Sequence, residues 1–506
     1  MSSSATKSRR RLLCWGMFLG AITPVFIRVV MTGSVPLGVD GGQWVALGRT
    51  FFATHHPRGM YPPLVPLLAW LLTLLLPFRA ALSVLALAAA AAPGIGVGLF
   101  ARRLNATPLV SVLAAFALSA TGMTGETFLW AGYPQLVALG FVPLALLALE
   151  ELLSPGVPTR SVRSSQTLLA VMVVAIASTS HLVLLSTIAA MFVMIASRLR
   201  FKTTLGALRS LRRPVLYCVL CAFLLTPVYI SISETFAASR SDTVSSRFSQ
   251  LIAAYQYVLR AELIPYGVLI LAAVLLLWRS MSSRGVLSAS AAVLCSILLP
   301  YLLRERRLAY LAGTAVAMLL IVASTTLTTT LTTPMRWRSV VGAVAALAAV
   351  FTSVVGLSRT QTDNDFYEYV TPAALELAEQ TARFSASDEA VAVTSVRSFP
   401  FGWWVEGAAA RRTYSMSNRE VLYRASELRD LDVALRVFKA SNADPFPSTY
   451  GLSAARAHNI RLLVVPWSWG GVSKEELDDR TSSCRKPCTF SVVFQNEFGA
   501  LVRVNA

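Results

Sequence analysis

The sequence predicts a polytopic α-helical membrane protein, with about eleven crossings plus interfacial helices, that ends in a mixed α/β soluble domain. Of the 506 residues, 55% are hydrophobic and 14% are charged, and the mean hydropathy is +0.60. Soluble globular chains carry about a quarter charged residues, so an ordinary soluble enzyme is excluded. Apolar runs of a length that suits membrane crossings, at roughly 20 residues each, recur up to residue 356.

The charges divide the chain into two parts. Residues 358–506 carry 17 basic and 18 acidic side chains, whereas residues 1–357 carry 28 basic and 8 acidic ones. The positive net charge of +19 therefore lies in the apolar part. This pattern is typical of basic loops beside a membrane, and it argues against a nucleic-acid partner. We predict a membrane domain at residues 1–357 and a soluble domain at residues 358–506.

Basic connections predict the topology. The basic N-terminus precedes the first apolar run, Leu12–Met31, and is expected in the cytoplasm. Further apolar runs lie at about 61–77, 80–100, 108–121, 133–150, 166–180, 182–197, 215–232, 263–279, 286–303, 308–330 and 339–356. If the arginine-rich connections between them face the cytoplasm, residues 358–506 lie outside. Arginine outnumbers lysine 40 to 5, a bias of high-GC bacterial genomes, so we expect a bacterial plasma membrane.

The segment 61–100 holds two apolar runs but can supply only one crossing, because Arg102 and Arg103 should lie inside. We interpret the proline-rich run 61–77 as an interfacial or half-inserted helix and 80–100 as the crossing, which leaves Arg79 outside. The alternative is that Arg102 and Arg103 depart from the statistical rule. Of the eight acidic residues in 1–357, this topology places six at the outer face: Asp40, Glu126, Glu234, Asp242, Glu262 and Glu305. Because ionisable groups near membrane depth are costly, this cluster is a candidate functional site.

The first external loop contains Asp40 in a glycine-rich turn, then a stretch expected to be amphipathic and to lie along the interface, then Tyr61-Pro62-Pro63-Leu64. This order resembles the GT-C superfamily of membrane glycosyltransferases, which use a sugar carried on a polyprenyl phosphate. In similar aminoarabinose and protein mannosyl transferases, an external arginine follows the Pro-Pro helix and a second external acid follows the next hairpin. Arg79 and Glu126 occupy those places.

The resemblance implies an inverting glycosyl transfer with Asp40 as general base and Glu126 as a second catalytic acid. A carboxylate takes the proton of the attacking hydroxyl, and arginine forks suit the phosphate of the leaving group. The expected substrate-binding residues of the membrane part are His55, His56, Arg58, Tyr61, Arg79, His181, Arg304, Arg306 and Arg307. The alternatives are head-group anchoring for His55, His56 and Arg58, a packing role for His181, and an ordinary basic loop for Arg304–Arg307.

In the soluble domain, apolar runs predict strands at Ala390–Val396, Ile460–Val465, Thr489–Phe494 and Ala500–Val504, and helices at Thr371–Phe384 and Arg419–Lys439. The segment containing Trp403, Trp404 and Glu406 is loosely similar to the Trp-Trp-Asp-Tyr-Gly motif of oligosaccharyltransferases. These tryptophans either stack on sugar rings or form part of the domain core. Cys484 and Cys488 favour a short disulfide over a zinc site, if the domain lies outside.

The predicted partners are a polyprenyl-phosphate-linked sugar donor, a glycan, lipid or protein acceptor, and the membrane lipids. Asp40, Glu126 and a histidine could hold a divalent cation such as Mg²⁺ or Mn²⁺, although no spacing indicates one. A transporter or flippase for lipid-linked sugars, or a non-catalytic scaffold, are the alternative functions. Transporters commonly contain internal repeats with broken helices, and the sequence shows no such repeat.

Overall fold

The computed structural model describes most of the chain. The described residues are 2–53, 61–154, 159–199, parts of 211–230, 284–303, 307–308, 311–330, parts of 350–367, 370–394, 401–416, 425–438, 449–467, 473–482 and 490–505. They form two compact units. The first contains Met1–Pro36, Val84–Thr226 and Thr243–Asp365, and the second contains Leu37–Ser83, Pro227–Asp242 and Phe366–Ala506. This grouping differs from a single division at residue 357, because residues 37–83 belong with the C-terminal residues.

Helices dominate the part of the chain before residue 370. In chain order they are α1 (Ser2–Thr32), α2 (Gly41–Ala53), α3 (Leu64–Leu75), α4 (Phe78–Arg103), α5 (Pro108–Ala120), α6 (Gly122–Leu129), α7 (Tyr133–Leu153), α8 (Thr159–Ala177), α9 (His181–Leu199), α10 (Val286–Leu303), α11 (Leu311–Thr330) and α12 (Thr360–Tyr367).

The protein is a membrane protein with several long apolar helices. Among the described residues, α4, α7 and the Leu12–Thr32 part of α1 are long and apolar enough to cross a bilayer. Helices α5 and α6 meet the same criterion only as a pair, with a bend of 51° between them. The total of about eleven crossings stays a prediction, since 263–279 and most of 339–356 lie outside the described residues.

The structure supports the non-crossing interpretation of residues 61–77. Helix α3 has 12 residues, which span about 18 Å at 1.5 Å per residue. The hydrocarbon core of a bilayer is about 30 Å thick, so α3 is too short to cross it upright. Helix α4 has 26 residues and is long enough.

Close helix packing explains the glycines of α4. A Cβ atom at Gly96 would lie 2.0 Å from the carbonyl oxygen of Gly140 on α7. A Cβ atom at Gly94 would lie 2.3 Å from Oγ of Ser119 on α5. The run from Pro93 to Gly98 therefore lies inside α4 and brings helices together.

Two carboxylates at the end of α7 connect several helices of the first unit. Glu150 is buried and accepts hydrogen bonds from the backbone amides of Gly285, at 2.6 Å, and Ser288, at 2.9 Å, at the beginning of α10. Glu151 pairs with Arg284 and lies 3.6 Å from Arg103 at the end of α4. The basic connections at 102–103 and 284 therefore meet at one face of this unit, as the predicted topology requires.

The C-terminal part of the second unit is a mixed α/β structure. Its helices are α13 (Pro372–Arg383), α14 (Phe401–Ala409), α15 (Ala425–Val437), α16 (Thr449–Ala457) and α17 (Lys474–Ser482), and its strands are β1 (Ala390–Val393), β2 (Thr413–Ser415), β3 (Ile460–Pro466), β4 (Phe490–Gln495) and β5 (Gly499–Val504). The strand order is β2-β1-β3-β5-β4, in which β1 pairs in parallel with β2 and β3, and β5 pairs antiparallel with β3 and β4.

The four predicted strands are confirmed, with boundaries that differ by up to three residues at one end. The predicted helix at 371–384 is α13, and Thr371 caps it by accepting a hydrogen bond from the amide of Ala374 at 3.2 Å. The helix predicted at 419–439 begins later among the described residues, at Ala425. Cys484 and Cys488 lie outside the described residues, so their disulfide stays a prediction.

Candidate functional site

The proposed catalytic base lies in a tight turn before α2. Asp40 is half-buried, and its carbonyl oxygen accepts a hydrogen bond from the amide of Gln43 at 3.0 Å. Gly38, two residues earlier, has a φ of +63°, a left-handed conformation that a side chain would strain. The glycine-rich sequence therefore forms a turn of the second unit, and Asp40 lies in this turn directly before α2.

Helix α2 is buried by other parts of the chain, which differs from the solvent-facing polar side that an amphipathic helix would have, and its place along the membrane interface stays a prediction. Every residue from Gly41 to Thr50 is buried except Arg49, which is half-buried. A Cβ atom at Gly48 would lie 2.0 Å from the carbonyl oxygen of Pro66, so α2 and α3 are in backbone contact. The rings of Trp44 and Tyr61 also pack with centroids 5.0 Å apart. Helix α2 is therefore covered by residues of its own unit, and its small and apolar side chains allow this close packing.

Helix α14 supplies a second neighbour of α2, through Trp404. The indole of Trp404 is fully buried, and its Nε1–H donates to the carbonyl oxygen of Val39 at 3.0 Å. A Cβ atom at Gly41 would lie 2.9 Å from Cη2 of this indole, and one at Gly42 would lie 2.7 Å from the Cα atom of Trp404. Trp404 thus packs directly against the turn that carries Asp40.

This burial favours the packing alternative for Trp404, because a fully enclosed ring offers no face to a sugar. Trp403, next to it, is 8% exposed. Glu406 is half-buried, and its carbonyl oxygen lies 3.5 Å from Nη1 of Arg49, which also donates to the carbonyl oxygen of Gly407 at 3.1 Å. Arg49 thus caps carbonyls near the C-terminal end of α14. Burial lowers the pKa of Arg49, and the nearby Glu406 carboxylate opposes that shift.

Arg79 lies in the first turn of α4, in the part of that helix that belongs to the second unit, and its side chain is exposed. The neighbouring Phe78 packs edge-on against Trp404, with ring centroids 6.2 Å apart. Glu379 on α13 interacts electrostatically with Arg79: burial raises the pKa of Glu379, the positive charge of Arg79 lowers it, and the charge of Glu376 raises it. The proposed phosphate ligand therefore has an acidic neighbour that the sequence did not indicate.

Glu126 lies in the first unit, on the short helix α6. It is half-buried, and the residues on both sides of it, Gly125 and Thr127, are buried. Helix α6 begins at the 51° break after α5, where Thr121 caps it by accepting a hydrogen bond from the amide of Thr124 at 3.3 Å. The break thus determines the position of Glu126 within this unit.

The structure adds a residue at this break that the sequence analysis missed. Arg28 on α1 is fully buried, and its guanidinium donates to the carbonyl oxygens of Ser119, Ala120, at 2.8 Å, and Thr121, at 2.7 Å. A Cβ atom at Gly125 would lie 2.7 Å from Nε of Arg28. The signal was present in the sequence, because Arg28 is the one charged residue in the apolar run Leu12–Met31.

Asp363 on α12 interacts electrostatically with Arg28. Burial raises the pKa of Asp363, and the charges of Arg359 and Arg28 lower it. His181 is half-buried at the first position of α9, after the polar break Ser178-Thr179-Ser180 that separates α8 from α9. A polar helix break therefore precedes His181 in the first unit, and the role of His181 in substrate contact stays a prediction.

The remaining predicted ligands cannot be placed in one site. Arg307 is half-buried in the first unit. Five others, His55, His56, Arg58, Arg304 and Arg306, lie outside the described residues. Within the described residues, no three His, Cys, Asp or Glu side chains come close enough to hold a metal ion. The divalent cation that the sequence allows therefore has no ligand set in this part of the chain.

The fold has counterparts among solved structures. ArnT from Cupriavidus metallidurans bound to undecaprenyl phosphate matches 96% of this chain and 97% of its own, with 11% identity and a TM-score of 0.54. The chain has the GT-C fold. The apo state of the same ArnT matches with 13% identity, over 99% of this chain and 98% of its own, and a TM-score of 0.54.

A second GT-C glycosyltransferase extends the comparison. The arabinofuranosyltransferase AftD from Mycobacteria matches 98% of this chain and 40% of its own, with 14% identity and a TM-score of 0.51. No family model matches the sequence, and no curated protein matches it. The likeness therefore concerns the fold.

Proposed function

We propose that this GT-C protein is an inverting glycosyltransferase that moves a sugar from a polyprenyl-phosphate carrier to an extracytoplasmic acceptor, such as a cell-wall glycan, a lipid or a protein. ArnT and AftD, which share its fold, support a glycosyltransferase, and ArnT binds undecaprenyl phosphate in one of its structures.

One contact carries the proposal. The turn with Asp40 and the beginning of α4 with Arg79 pack on the same indole, that of Trp404: Val39 accepts its hydrogen bond and Phe78 contacts its ring. A glycosyl transfer from a lipid phosphate needs a base for the acceptor and a cation for the leaving group near one another. The candidate base and the candidate cation are each one residue from the groups that contact this indole.

In the proposed reaction, the Asp40 carboxylate accepts the proton of an acceptor hydroxyl as its oxygen bonds to the anomeric carbon. The bond between that carbon and the phosphate oxygen breaks, and the polyprenyl phosphate leaves with the electron pair. Arg79 stabilises the charge that develops on the phosphate, because a guanidinium fork matches phosphate oxygens. Tyr61, half-buried beside Trp44, is proposed to border the site, and the catalytic role of Glu126 as a second acid stays a prediction.

The test replaces Asp40 by Asn, which retains the shape of the side chain but not its ability to accept a proton. In membrane vesicles that contain radiolabelled undecaprenyl-phosphate-linked sugars, transfer should fall by about 10²–10⁴-fold. The matched control is Asp388→Asn, at an exposed position in the same unit, which should leave transfer unchanged. Normal transfer by an Asp40→Asn protein present at the normal level would show that Asp40 is no base. Movement of labelled lipid across the bilayer without transfer would favour the transporter.

A further inference from the structure

We infer that Trp404 is a positioning residue that holds the Asp40 turn and the start of α4 in their working geometry. The inference rests on the proposed function and deepens it. It assigns to this tryptophan a role that acts through the backbone beside the base and involves no sugar stacking.

The hydrogen bond from Trp404 is directed at the main chain next to the base. The indole Nε1–H donates to the carbonyl oxygen of Val39 at 3.0 Å, and Trp404 is fully buried. The carbonyl of Val39 is part-buried, and losing its donor would leave it less well satisfied, so the turn depends on this contact. A fixed carbonyl at position 39 limits the directions in which the Asp40 side chain leaves the backbone.

The close approach of two glycines to Trp404 also restricts the position of this residue. Cβ atoms at Gly41 and Gly42 would meet Cη2 and Cα of Trp404 at 2.9 and 2.7 Å. On the facing helix, a Cβ atom at Gly407 would lie 2.7 Å from the carbonyl oxygen of Gly42. Helices α2 and α14 are therefore in backbone contact, and the tryptophan has no room to shift without moving the turn.

The contact with Phe78 connects Trp404 to the segment that carries Arg79, the proposed phosphate-binding residue. Phe78 precedes Arg79 at the beginning of α4, and its ring packs edge-on on the indole at 6.2 Å. The aromatic contact and the hydrogen bond use different parts of Trp404, so two substitutions separate them. Phenylalanine keeps an aromatic ring for Phe78 but has no donor for Val39, whereas alanine lacks both.

The experiment compares Trp404→Phe, Trp404→Ala and the control Trp467→Phe in purified full-length protein. The indole of Trp467 donates to the carbonyl oxygen of Asn496 at 2.8 Å, so the control loses the same kind of hydrogen bond at a carbonyl outside the Asp40 turn. We expect Trp404→Phe to lower the kcat of transfer about 10- to 100-fold, as a misplaced catalytic group does, with the Kd for undecaprenyl phosphate unchanged. Trp404→Ala should lower kcat and also weaken undecaprenyl-phosphate binding, whereas Trp467→Phe should change neither quantity. A Trp404→Phe protein with the kcat of Trp467→Phe overturns the inference.

Hydrogen exchange of the backbone amides at residues 38–44 gives a readout that does not depend on catalysis. Exchange should be faster in Trp404→Phe than in Trp467→Phe, and equal rates overturn the inference even if Asp40→Asn abolishes transfer. Faster exchange together with normal transfer by Asp40→Asn retains the structural role and contradicts the proposed function. If Trp404→Phe does not fold, Gly41→Ala, which displaces the indole from the opposite side, should accelerate exchange in the same segment, and unchanged exchange there is equally contradictory.

Discussion

The guanidinium of Arg28 on α1 donates to the carbonyl oxygen of Thr121 at 2.7 Å, at the point where α5 ends and the chain bends by 51° into α6. The last carbonyls of a helix have no partner within it and carry partial negative charge, so a buried cation stabilises them. The fork of arginine donors also bonds the carbonyls of Ser119 and Ala120. The first helix thereby fixes the break that precedes Glu126.

The first prediction concerns the stability of this break. Arg28→Met should lower the free energy of unfolding by roughly 3–5 kcal/mol, because removing one partner of a buried charged network leaves its carbonyls unpaired. The unfolding free energy of Arg28→Lys should lie between that of Arg28→Met and that of the native protein, since the lysine ammonium keeps the charge but lacks the planar fork. Thermal unfolding in detergent measures the difference. The control is Arg163→Met, at an exposed position on α8, and equal effects of the two Met variants would contradict the assignment.

The second prediction tests the backbone contact of α4 with α7. Gly96→Ala places a Cβ atom 2.0 Å from the carbonyl oxygen of Gly140, so the helices must separate. We expect a loss of roughly 1–3 kcal/mol of unfolding free energy, the usual cost of overpacking. In Gly313→Ala the nearest atom would be at 3.5 Å, and the gain in helix propensity should leave stability equal or higher. A tolerated Gly96→Ala, measured by the same thermal unfolding, would show that the two helices do not approach this closely.

Apolar periodicity and loop charges predicted most of the helices and the four strands, because long runs of one hydrophobic pattern leave few alternatives. The buried state of α2 was missed. Its sequence includes the polar residues Gln43, Arg49 and Thr50, which read as a solvent-facing side until α3 and α14 cover them. Coverage by a helix hundreds of residues later is a tertiary effect that no local window contains.

The candidate site was predictable only in part. Asp40 and Arg79 were found from their order along the chain, yet the sequence left open whether the indole that both segments contact stacks on sugars or packs in the core. Strand β2 has three residues and was missed, since so short a run has no measurable alternation. The electrostatic interaction of Arg79 with Glu379 was also invisible, because the two residues are distant in sequence and come near one another only in the folded second unit.

The third prediction tests the electrostatic interaction between Arg79 and Glu379. Arg79→Ala should weaken binding of undecaprenyl phosphate by roughly 1.5–3 kcal/mol, or about 10- to 150-fold in Kd, if the contact is partly desolvated. Glu379→Gln removes the competing negative charge and should tighten the same binding. Fluorescence titration of the purified protein in nanodiscs measures both. Glu497→Gln is the control, since that residue belongs to the same unit, and equal tightening by Glu379→Gln and Glu497→Gln would show a nonspecific charge effect.

The fourth prediction concerns pH. Burial raises the pKa of Glu379, so the folded state binds its proton more tightly than the unfolded state does. Its contribution to stability is therefore fully present below the ordinary carboxyl pKa and is lost as the pH rises through the raised value. Glu379→Gln abolishes this term, so the unfolding temperature of the variant minus that of the native protein should increase between about pH 4 and pH 7. The Glu379 carboxyl is largely exposed, so the change in unfolding temperature should be small. A temperature difference that decreases over this pH range would contradict the prediction.

The fifth prediction concerns orientation. Glu151 pairs with Arg284 and lies 3.6 Å from Arg103, so the ends of α4 and α7 and the beginning of α10 share one face of the first unit. The excess of arginine in these connections predicts that the face is cytoplasmic. Alkaline phosphatase, active only outside the cytoplasm, should be inactive when fused after Ser154 and active when fused after Gly132 or Ala506. Phosphatase activity after Ser154 with none after Ala506 would show that the orientation in the membrane is the reverse of the predicted one. Asp40 would then face the cytoplasm, and an extracytoplasmic transfer at that residue would be excluded.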